Sequence, residues 1–207
     1  MLTICTISRS YNQELINTLV SLSIQRDKNF RLILIISDKN LSKKYSAKIN
    51  AFNDYFIKKK ILIKKVIGKD NSIYEAMNIG LKETKTSHIL YLNSGDTLCS
   101  SLSTKLINKK LLENPHSSHA FSVFNYYKQH IWKRNSKSNA RNLLTALKYT
   151  PPHQGYIAYI KKRRIYFDTK IGYNADSKWI KDYLDFDCIF HKEAVSFFKL
   201  GGISNSY

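Results

Sequence analysis

The sequence predicts an α/β protein in which helices flank a mostly parallel central sheet. Between residues 2 and 92, short apolar runs alternate with segments of helical spacing, and this alternation is typical of parallel strands joined by right-handed crossovers. The run FRLILIIS at 30–37 is apolar almost throughout, as expected for a strand covered on both faces. With 14 Tyr and 10 Phe in 207 residues, the chain has material for a core and does not have the composition of a disordered protein.

Each element of the first half follows from a local pattern. Strands are predicted at 2–8, 30–37, 61–67 and 88–92, and helices at 12–25, 41–56 and 73–83. In the first helix Leu15, Ile16 and Leu19 recur at helical spacing, and Asn12 is available as its N-cap.

The alternation weakens after residue 96. We expect a helix at 102–112, strands at 120–127 and 155–160, and a short helix at 175–184. Residues 128–150 are basic and polar, which suggests a mobile segment with a short helix. The sequence has no internal repeat and no clear linker, so the second half is expected to build onto the same sheet within one domain.

The charge of the chain favours anionic partners. It has 34 basic and 15 acidic residues, a net charge of +19, and such a field attracts nucleic acid, anionic membrane surfaces or phosphorylated substrates. The lysines are scattered, so a merely solvated Lys-rich surface is the alternative. Two clusters stand out, IKKKILIKK at 57–65 and KKRR at 161–164.

Three widely separated cysteines, Cys5, Cys99 and Cys188, support neither a disulfide framework nor a zinc site and indicate a reducing compartment. The start of the chain does not have the pattern of a signal peptide, and no apolar run approaches the roughly 20 residues of a membrane span. We expect a soluble or peripheral protein.

Polar residues follow each of the four predicted parallel strands. They are Ser8-Arg9-Ser10, Ser37-Asp38, Gly68-Lys69-Asp70 and Asn93-Ser94-Gly95-Asp96. In open parallel sheets, ligands bind beyond the carboxyl ends of the strands. One acidic residue at a strand end is commonly a turn former, but three on separate strand ends indicate a binding site.

Several stretches resemble the family 2 glycosyltransferases, in the branch of colanic-acid and O-antigen biosynthesis. The most specific is GKDNSIYEAMNIGLKETKTSHILYLNSGD; the others are TICTISRSYNQELINTLVSLSIQ, LIISD, PPHQGYIAY, YNADSKWIKDYL and LGGIS. The resemblance implies a GT-A fold, with a nucleotide-binding half at 1–98 and an acceptor-binding half at 99–207. It also implies inverting transfer from a nucleotide sugar, usually UDP-linked, with Mg²⁺ or Mn²⁺.

By this resemblance Asp96 is the metal ligand. A cation that bridges the two phosphates stabilises the charge of the leaving group as a Lewis acid, and it needs few protein ligands because the phosphates supply the others. The family often has a second acidic residue before this one, and here Gly95 takes that place, which leaves tight metal binding open. The alternative is a turn with Asp96 as its cap.

The resemblance places Thr6, Ser8, Asp38, Asp70 and Gly95 on the nucleotide side of the site. The carboxylates would accept hydrogen bonds from the base or the ribose, or they are ordinary loop residues.

On the sugar and acceptor side the resemblance places Glu75, Asn78, His153 and Gln154. Glu75, Asn78 and Gly80 either line the sugar pocket or cap and pack their helix. His153 can touch the diphosphate or help to hold the metal. Arg134, Arg141 and residues 161–164 can contact diphosphate or anionic lipid, or are solvated charges.

Asp176 is the candidate catalytic base. Inverting transfer needs a carboxylate that takes the proton of the attacking hydroxyl, and a position at a helix N-terminus favours the ionised form. The family often has a second Asp two positions later, where this chain has Lys178. The alternative role is a plain N-cap.

Three other functions each agree with part of the sequence. A nucleic-acid binder would suit the charge, but the sequence has no helix-turn-helix, zinc-finger or RNP-like pattern. A dinucleotide oxidoreductase or P-loop enzyme would need glycine-rich phosphate loops that are missing. A non-catalytic glycosyltransferase relative is the third, because of Gly95 and Lys178.

The sequence thus predicts a bacterial glycosyltransferase that adds one sugar to a lipid-linked saccharide during surface polysaccharide assembly. It would work in the cytoplasm, on the inner face of the membrane, where Lys and Arg clusters attract anionic headgroups.

Overall fold

The computed structural model describes residues 1–38, 43–68, 70–137, 149–184 and 187–200, with the side chain of Tyr173 left out. The described strands are β1 Leu2–Ser8, β2 Phe30–Ile36, β3 Ile63–Ile67, β4 His88–Tyr91, β5 Thr97–Leu98, β6 Ser118–Tyr127, β7 His130–Arg134, β8 Tyr156–Tyr159 and β9 Cys188–Lys199. The described helices are α1 Gln13–Ser23, α2 Lys43–Lys58, α3 Ile73–Glu83, α4 Ser103–Glu113 and α5 Ala175–Leu184, with short 3₁₀ helices at His153–Gly155 and Gly172–Asn174.

The first half of the chain forms the parallel part of the sheet. Its strands lie in the order β3-β2-β1-β4, and every neighbouring pair is parallel. All seven residues of β1 and six of the seven residues of β2 are buried, so the prediction that the strand at 30–37 is covered on both faces is confirmed. Helix α1 begins at its predicted cap, where the Asn12 side chain accepts a hydrogen bond from the Leu15 N–H at 2.8 Å.

Two apolar layers cover the two faces of this sheet. Successive side chains of a strand point to opposite faces, so β1 contributes Leu2 and Ile4 to one layer and Cys5 and Ile7 to the other. The first layer contains residues of α1, α2 and α4, and the second contains residues of α3 and α5. This arrangement confirms the predicted α/β class.

The second half of the chain continues the same sheet, as the sequence predicted. Strand β8 pairs antiparallel with β4, β6 pairs antiparallel with β8, and β9 runs parallel to β6 with an irregular register near Ser122. Strand β5 pairs antiparallel with β9. All the described strands therefore belong to one nine-stranded sheet.

The expectation for 128–150 was wrong in part. Residues 130–134 form β7, which pairs antiparallel with β6 through a turn at Lys128, whose φ is 53°. This strand is exposed along most of its length, so its basic and polar residues do not show the apolar pattern from which a strand is predicted. Residues 138–148 lie outside the described part, and so do Arg141 and the last residues of the LGGIS motif.

None of the described helices is long and apolar enough to cross a membrane.

Candidate functional site

The carboxyl ends of β1, β2 and β3 bring the predicted nucleotide-side residues together. The Asp38 N–H donates to the Arg9 carbonyl at 2.7 Å, so the loops after β1 and β2 are joined. The Ser37 hydroxyl donates to Asp70 Oδ2 at 2.5 Å, which joins the loops after β2 and β3. Ser8 lies at the end of β1, where its hydroxyl donates to the Ser10 carbonyl at 2.7 Å.

Two of these residues have buried oxygens without a hydrogen-bond partner. They are Thr6 Oγ1 and Asp70 Oδ1, and the amide oxygen of Asn93 in the next loop shares this property. A buried polar atom without a partner is costly, so each of these oxygens needs a hydrogen-bond donor from an ordered water or from a bound polar molecule.

The loop 93–96 after β4 is fixed against β1 and α1. The Ser94 N–H donates to the Ile7 carbonyl at 2.8 Å. The Thr18 hydroxyl accepts from the Gly95 N–H at 3.0 Å and donates to the Asp96 carbonyl at 2.8 Å. The Asp96 N–H donates to the Asn93 carbonyl at 2.9 Å, so this loop is a turn. These bonds hold it at the end of the sheet where the parallel strands finish, which we call the rim.

Gly95 is required by the shape of this loop. Its φ is +97°, in the left-handed region that residues with a side chain rarely adopt. A Cβ at this position would lie 3.7 Å from the carboxyl carbon of Glu14. The space beside Gly95 is thus occupied by a carboxylate from the first turn of α1. Glu14 Oε1 also pairs with Lys199 Nζ at 3.2 Å.

The carboxyl group of Asp96 is buried, with 5% of the residue exposed. Burial raises its pKa to about 7, and the charge of Glu14 adds to this effect. The charge of His153 and hydrogen bonds from the Asn93 backbone and the Gln154 side chain act in the opposite direction. A carboxylate in this position lacks full charge compensation, and a cation would supply it.

A chain of contacts runs from this loop to Asp176. The Asn93 amide nitrogen lies 3.5 Å from His153 Nε2, and His153 Nδ1 lies 3.2 Å from Asp176 Oδ2. Asp176 is in the first turn of α5, and its Oδ1 accepts from the Ser177 N–H at 2.8 Å. Residues far apart in sequence therefore meet at one rim.

The pKa of Asp176 is lowered from its ordinary value. Burial acts to raise this pKa, but the hydrogen bond and charge of His153, together with backbone N–H groups of Ser177 and Asp176, outweigh it. The Asp176 carboxylate is thus ionised at neutral pH, with His153 as its partner.

Two predicted sugar-side residues have their polar groups engaged within the protein. The side chain of Asn78 bonds to both backbone groups of Phe167, donating at 2.9 Å and accepting at 2.8 Å. Glu75 Oε2 accepts from the Asn71 N–H at 2.8 Å, and the Glu75 N–H donates to the Ser72 hydroxyl at 3.1 Å. Ser72 and Glu75 thus cap α3, and Asn78 holds the segment before α5.

The predicted basic cluster at 161–164 lies away from the site, whereas Arg134 bonds to the backbone three residues before His153. Residues 161–164 follow β8, whose Tyr159 pairs with His88 at the start of β4. They therefore lie at the end of the sheet where the parallel strands begin, opposite the rim. The guanidinium of Arg164 donates to the Thr84 carbonyl at 3.0 Å, and that of Arg134 donates to the Thr150 carbonyl at 3.0 Å.

Three residues of the rim were not predicted. Asn93 lies within the quoted NSGD stretch, and its position at the end of an apolar strand was a usable signal. Glu14 and Lys199 had no such signal, because only the packing of α1 and β9 beside the loop brings them there.

The residues suit a divalent cation in their chemistry, although they form no closed metal cage. Within the described ranges, no three His, Cys, Asp or Glu side chains are grouped so that they could hold a metal ion. The Asp96 carboxylate and His153 Nε2 are an oxygen and a nitrogen donor, one on the loop after β4 and the other on the short helix His153–Gly155, and an ion held by a diphosphate needs few protein ligands.

The sequence matches no family model and no curated protein. Solved structures do match. S. aureus TarS 1–349 in complex with UDP-GlcNAc has a TM-score of 0.76 and 14% identity, covering 100% of this chain and 61% of that one. A longer S. aureus TarS chain has a TM-score of 0.72 and 13% identity, covering 98% of this chain and 37% of that one.

A second protein gives a similar result. The mannosyltransferase PcManGT from Pyrobaculum calidifontis, in complex with GDP-Man and Mn²⁺, has a TM-score of 0.67 and 9% identity, covering 99% of this chain and 58% of that one. These likenesses show that the chain has the GT-A fold of glycosyltransferases, which confirms the predicted fold. The chain spans less than two thirds of the length of each of these neighbours.

Proposed function

We propose that the protein is an inverting glycosyltransferase of the colanic-acid and O-antigen branch. It transfers a hexosyl or N-acetylhexosaminyl group from a UDP-sugar to a lipid-linked saccharide in the assembly of a bacterial surface polysaccharide. The observation that carries the proposal is the contact chain from the Asp96 loop through His153 to Asp176. The GT-A fold, which is also that of TarS in complex with UDP-GlcNAc, supports it.

The nucleotide binds in this proposal to residues of the 1–98 half. Asp38 and Asp70 lie on joined loops beside Ser8, and the unpartnered oxygens of Thr6 and Asp70 are acceptors for the N–H of a base or the hydroxyls of a ribose. Since a buried acceptor without a partner is costly, a nucleoside that donates to these oxygens gains affinity.

Asp96 and His153 would hold Mg²⁺ or Mn²⁺ beside the diphosphate. The bound cation supplies Lewis-acid stabilisation of the charge on the leaving diphosphate. His153 presents Nε2 as a ligand because its Nδ1–H is directed to Asp176, an arrangement common around metal-binding histidines. Glu14 provides a carboxylate beside Gly95, where the family often has its second acidic residue.

Asp176 acts as the general base. As the oxygen of the acceptor hydroxyl bonds to the anomeric carbon, the bond from that carbon to the diphosphate oxygen breaks, and the hydroxyl proton passes to the Asp176 carboxylate. The lowered pKa of Asp176 keeps this carboxylate ionised before the transfer. His153 holds the carboxylate in position, and each carboxylate oxygen retains a lone pair for the proton.

The sugar and acceptor would lie against the 99–207 half, near Gln154, whose neighbour His153 faces both the Asp96 loop and α5. Glu75 and Asn78 would act from behind this pocket, because Asn78 fixes the backbone of Phe167. We place the protein in the cytoplasm, at the inner face of the membrane, where a lipid-linked acceptor is reached.

A thermal-shift panel of UDP-, GDP- and dTDP-sugars, each with and without Mn²⁺, tests the proposal. We expect stabilisation by one or more UDP-sugars that depends on Mn²⁺ and is lost in Asp96→Ala. The matched control is Asp54→Ala, which removes a carboxylate from the exposed side of α2 and should keep the shift. A flat panel with the wild-type protein contradicts a donor site, and a shift that Asp96→Ala retains contradicts the role of Asp96.

A further inference from the structure

A groove of about 710 Å³ lies between α1 and α2. Its floor is largely apolar and includes Ile16, Ile24, Phe52 and the ring of Tyr55. Ile24 remains 57% exposed although it is a large apolar side chain. The volume is within the range of ordinary ligand sites, which are mostly apolar with a few polar groups.

The basic end of the groove is distant from the candidate active site. Helix α1 begins beside the 93–96 loop, the groove extends along it from Ile16 to Ile24, and its basic residues Arg26 and Lys28 follow the other end of the helix. An 11-residue helix is about 16 Å long at 1.5 Å per residue. A molecule in the groove would therefore leave the rim with Asp96 open.

The groove is bordered by positively charged side chains. Its charged lining residues are Arg26, Lys28, Lys48 and Lys59, and none of the residues that line it, all of them described, is acidic. The ammonium groups of Lys28 and Lys59 lie 5.7 and 5.9 Å from the centroid of the Tyr55 ring. Two ammonium groups thus lie close to the centre of one ring, and their positive potential attracts an anionic group to this end of the groove.

The basic clusters of the sequence lie, like the basic end of the groove, at the end of the sheet where the parallel strands begin. Lys58 ends α2 and Lys59 and Lys60 follow it, while residues 161–164 follow β8 near the start of β4. Exposed apolar side chains lie among the lysines, with Ile57 at 64% and Leu62 at 60% exposure. Lysines interleaved with exposed apolar residues are typical of surfaces that rest on anionic bilayers.

We propose that the groove binds one acidic phospholipid of a bilayer surface. The lipid phosphate pairs with the ammonium groups of Lys28 and Lys59, and the upper acyl chain lies on Ile24 and Phe52. A second copy of this chain is a poor occupant because each copy has a net charge of +19. The inference rests on the membrane association proposed above, but it is independent of sugar transfer.

The test is co-sedimentation of the full chain with vesicles of phosphatidylglycerol and phosphatidylcholine, compared with phosphatidylcholine alone. The groove variant is Lys28→Gln with Lys59→Gln, and the matched control is Lys133→Gln with Lys170→Gln, which removes the same charge from exposed positions of β7 and of the segment before α5. We expect the groove variant to bind acidic vesicles about tenfold more weakly than the wild-type protein. The control should bind them less than about twofold more weakly, because its lysines lie away from the groove and the basic clusters.

A second variant separates a bound lipid from a bound headgroup. Ile24→Asn changes no charge, and we expect about threefold to tenfold weaker vesicle binding because apolar contact is lost. Thermal unfolding of each variant confirms that it is folded. Asp96→Ala should bind vesicles like the wild-type protein, so a failure of the proposed catalysis is distinguishable.

Four results would overturn the inference. If the wild-type chain binds no acidic vesicles, membrane association itself is wrong. Equal losses in the two lysine pairs would indicate only the general positive field. Unchanged binding of Ile24→Asn alone would exclude an acyl chain in the groove. Unchanged binding of both groove variants would leave an acidic protein segment as its occupant.

Discussion

Because three histidines are buried, we expect the protein to lose stability on acidification at pH values above those at which most carboxylates titrate. His88 is 1% exposed, His119 0% and His191 8%. His119 Nε2 donates to the Asn114 carbonyl at 3.1 Å, so its Nδ1 accepts from His191 Nε2 at 2.9 Å. His88 Nε2 donates to the Ser117 carbonyl at 3.1 Å and its Nδ1 accepts from the Ser87 hydroxyl at 3.0 Å.

These contacts suit neutral imidazoles. Burial lowers the pKa of His88 to about 4. Burial, assisted by His119, likewise lowers the pKa of His191 to about 4. The unfolded chain takes up these protons below pH 6.5, whereas the folded chain resists them until about pH 4. The stabilisation is therefore present above pH 6.5 and is lost progressively as the pH falls from 6.5 to 4.

The magnitude follows from linkage. Each pH unit in this interval costs about 1.4 kcal/mol per histidine, so His88 and His191 together remove about 4 kcal/mol between pH 6.5 and pH 5. For a chain of this size about 1 kcal/mol corresponds to 2–4 °C in Tm. We expect Tm to fall by about 8–16 °C over this interval.

Thermal unfolding by circular dichroism between pH 7.5 and pH 5 measures this fall. His88→Gln should lower Tm at pH 7.5 but reduce the slope of Tm against pH by about a third to a half, because one of the three buried histidines whose pKa is lowered is gone. His130→Gln, at an exposed position of β7, should leave the slope unchanged. A flat Tm across the interval, or an unchanged slope in His88→Gln, would refute the reasoning.

Three further variants test the packing and the proposed chemistry. A Cβ at Gly155 would lie 2.3 Å from the Phe121 carbonyl oxygen, so Gly155→Ala should destabilise by about 1–3 kcal/mol in urea unfolding, and an unchanged midpoint contradicts this. Asn78→Leu leaves the backbone groups of Phe167 without partners and should cost about 1–3 kcal/mol; calorimetry checks this, and a stable variant would show that the loop relaxes. Asp176→Asn should lower kcat by about 10²–10⁴ with little effect on donor KM, measured by release of the nucleoside diphosphate, and unaltered turnover would exclude it as the base.

The parallel half of the fold was predictable because its signals are local. The run at 30–37 is apolar apart from Arg31 and Ser37, and the structure buries six of the seven residues of β2. Helix α3 has the predicted bounds, since Ser72 and Glu75 form its cap. Such strands and caps are decided by neighbouring residues, and a single sequence contains that information.

The second half was harder to predict because its strands depend on partners far away. Strand β9 contains His191 and Glu193 among its apolar residues, and its alternation is broken where its register with β6 shifts near Ser122. Strand β7 is exposed for most of its length and has only β6 as its described neighbour. Its pairing, rather than its composition, makes it a strand.

The candidate site illustrates the same division between local and distant information. The sequence has Gly95 immediately before Asp96, where members of the suspected family often have a second acidic residue. This difference suggests weaker metal binding. The structure gives a physical reason for the glycine, because the loop turns with φ at +97° and an acidic residue there would be strained.

The structure also shows that the charge is not lost at this position. Glu14 places its carboxyl carbon 3.7 Å from where a side chain at position 95 would begin, and its negative charge contributes to the raised pKa of Asp96. Glu14 and Asp96 are far apart in sequence, and they meet because Thr18 of α1 bonds to the loop. A motif read along the chain counts one acid, whereas the folded rim presents two, of which Glu14 is paired with Lys199.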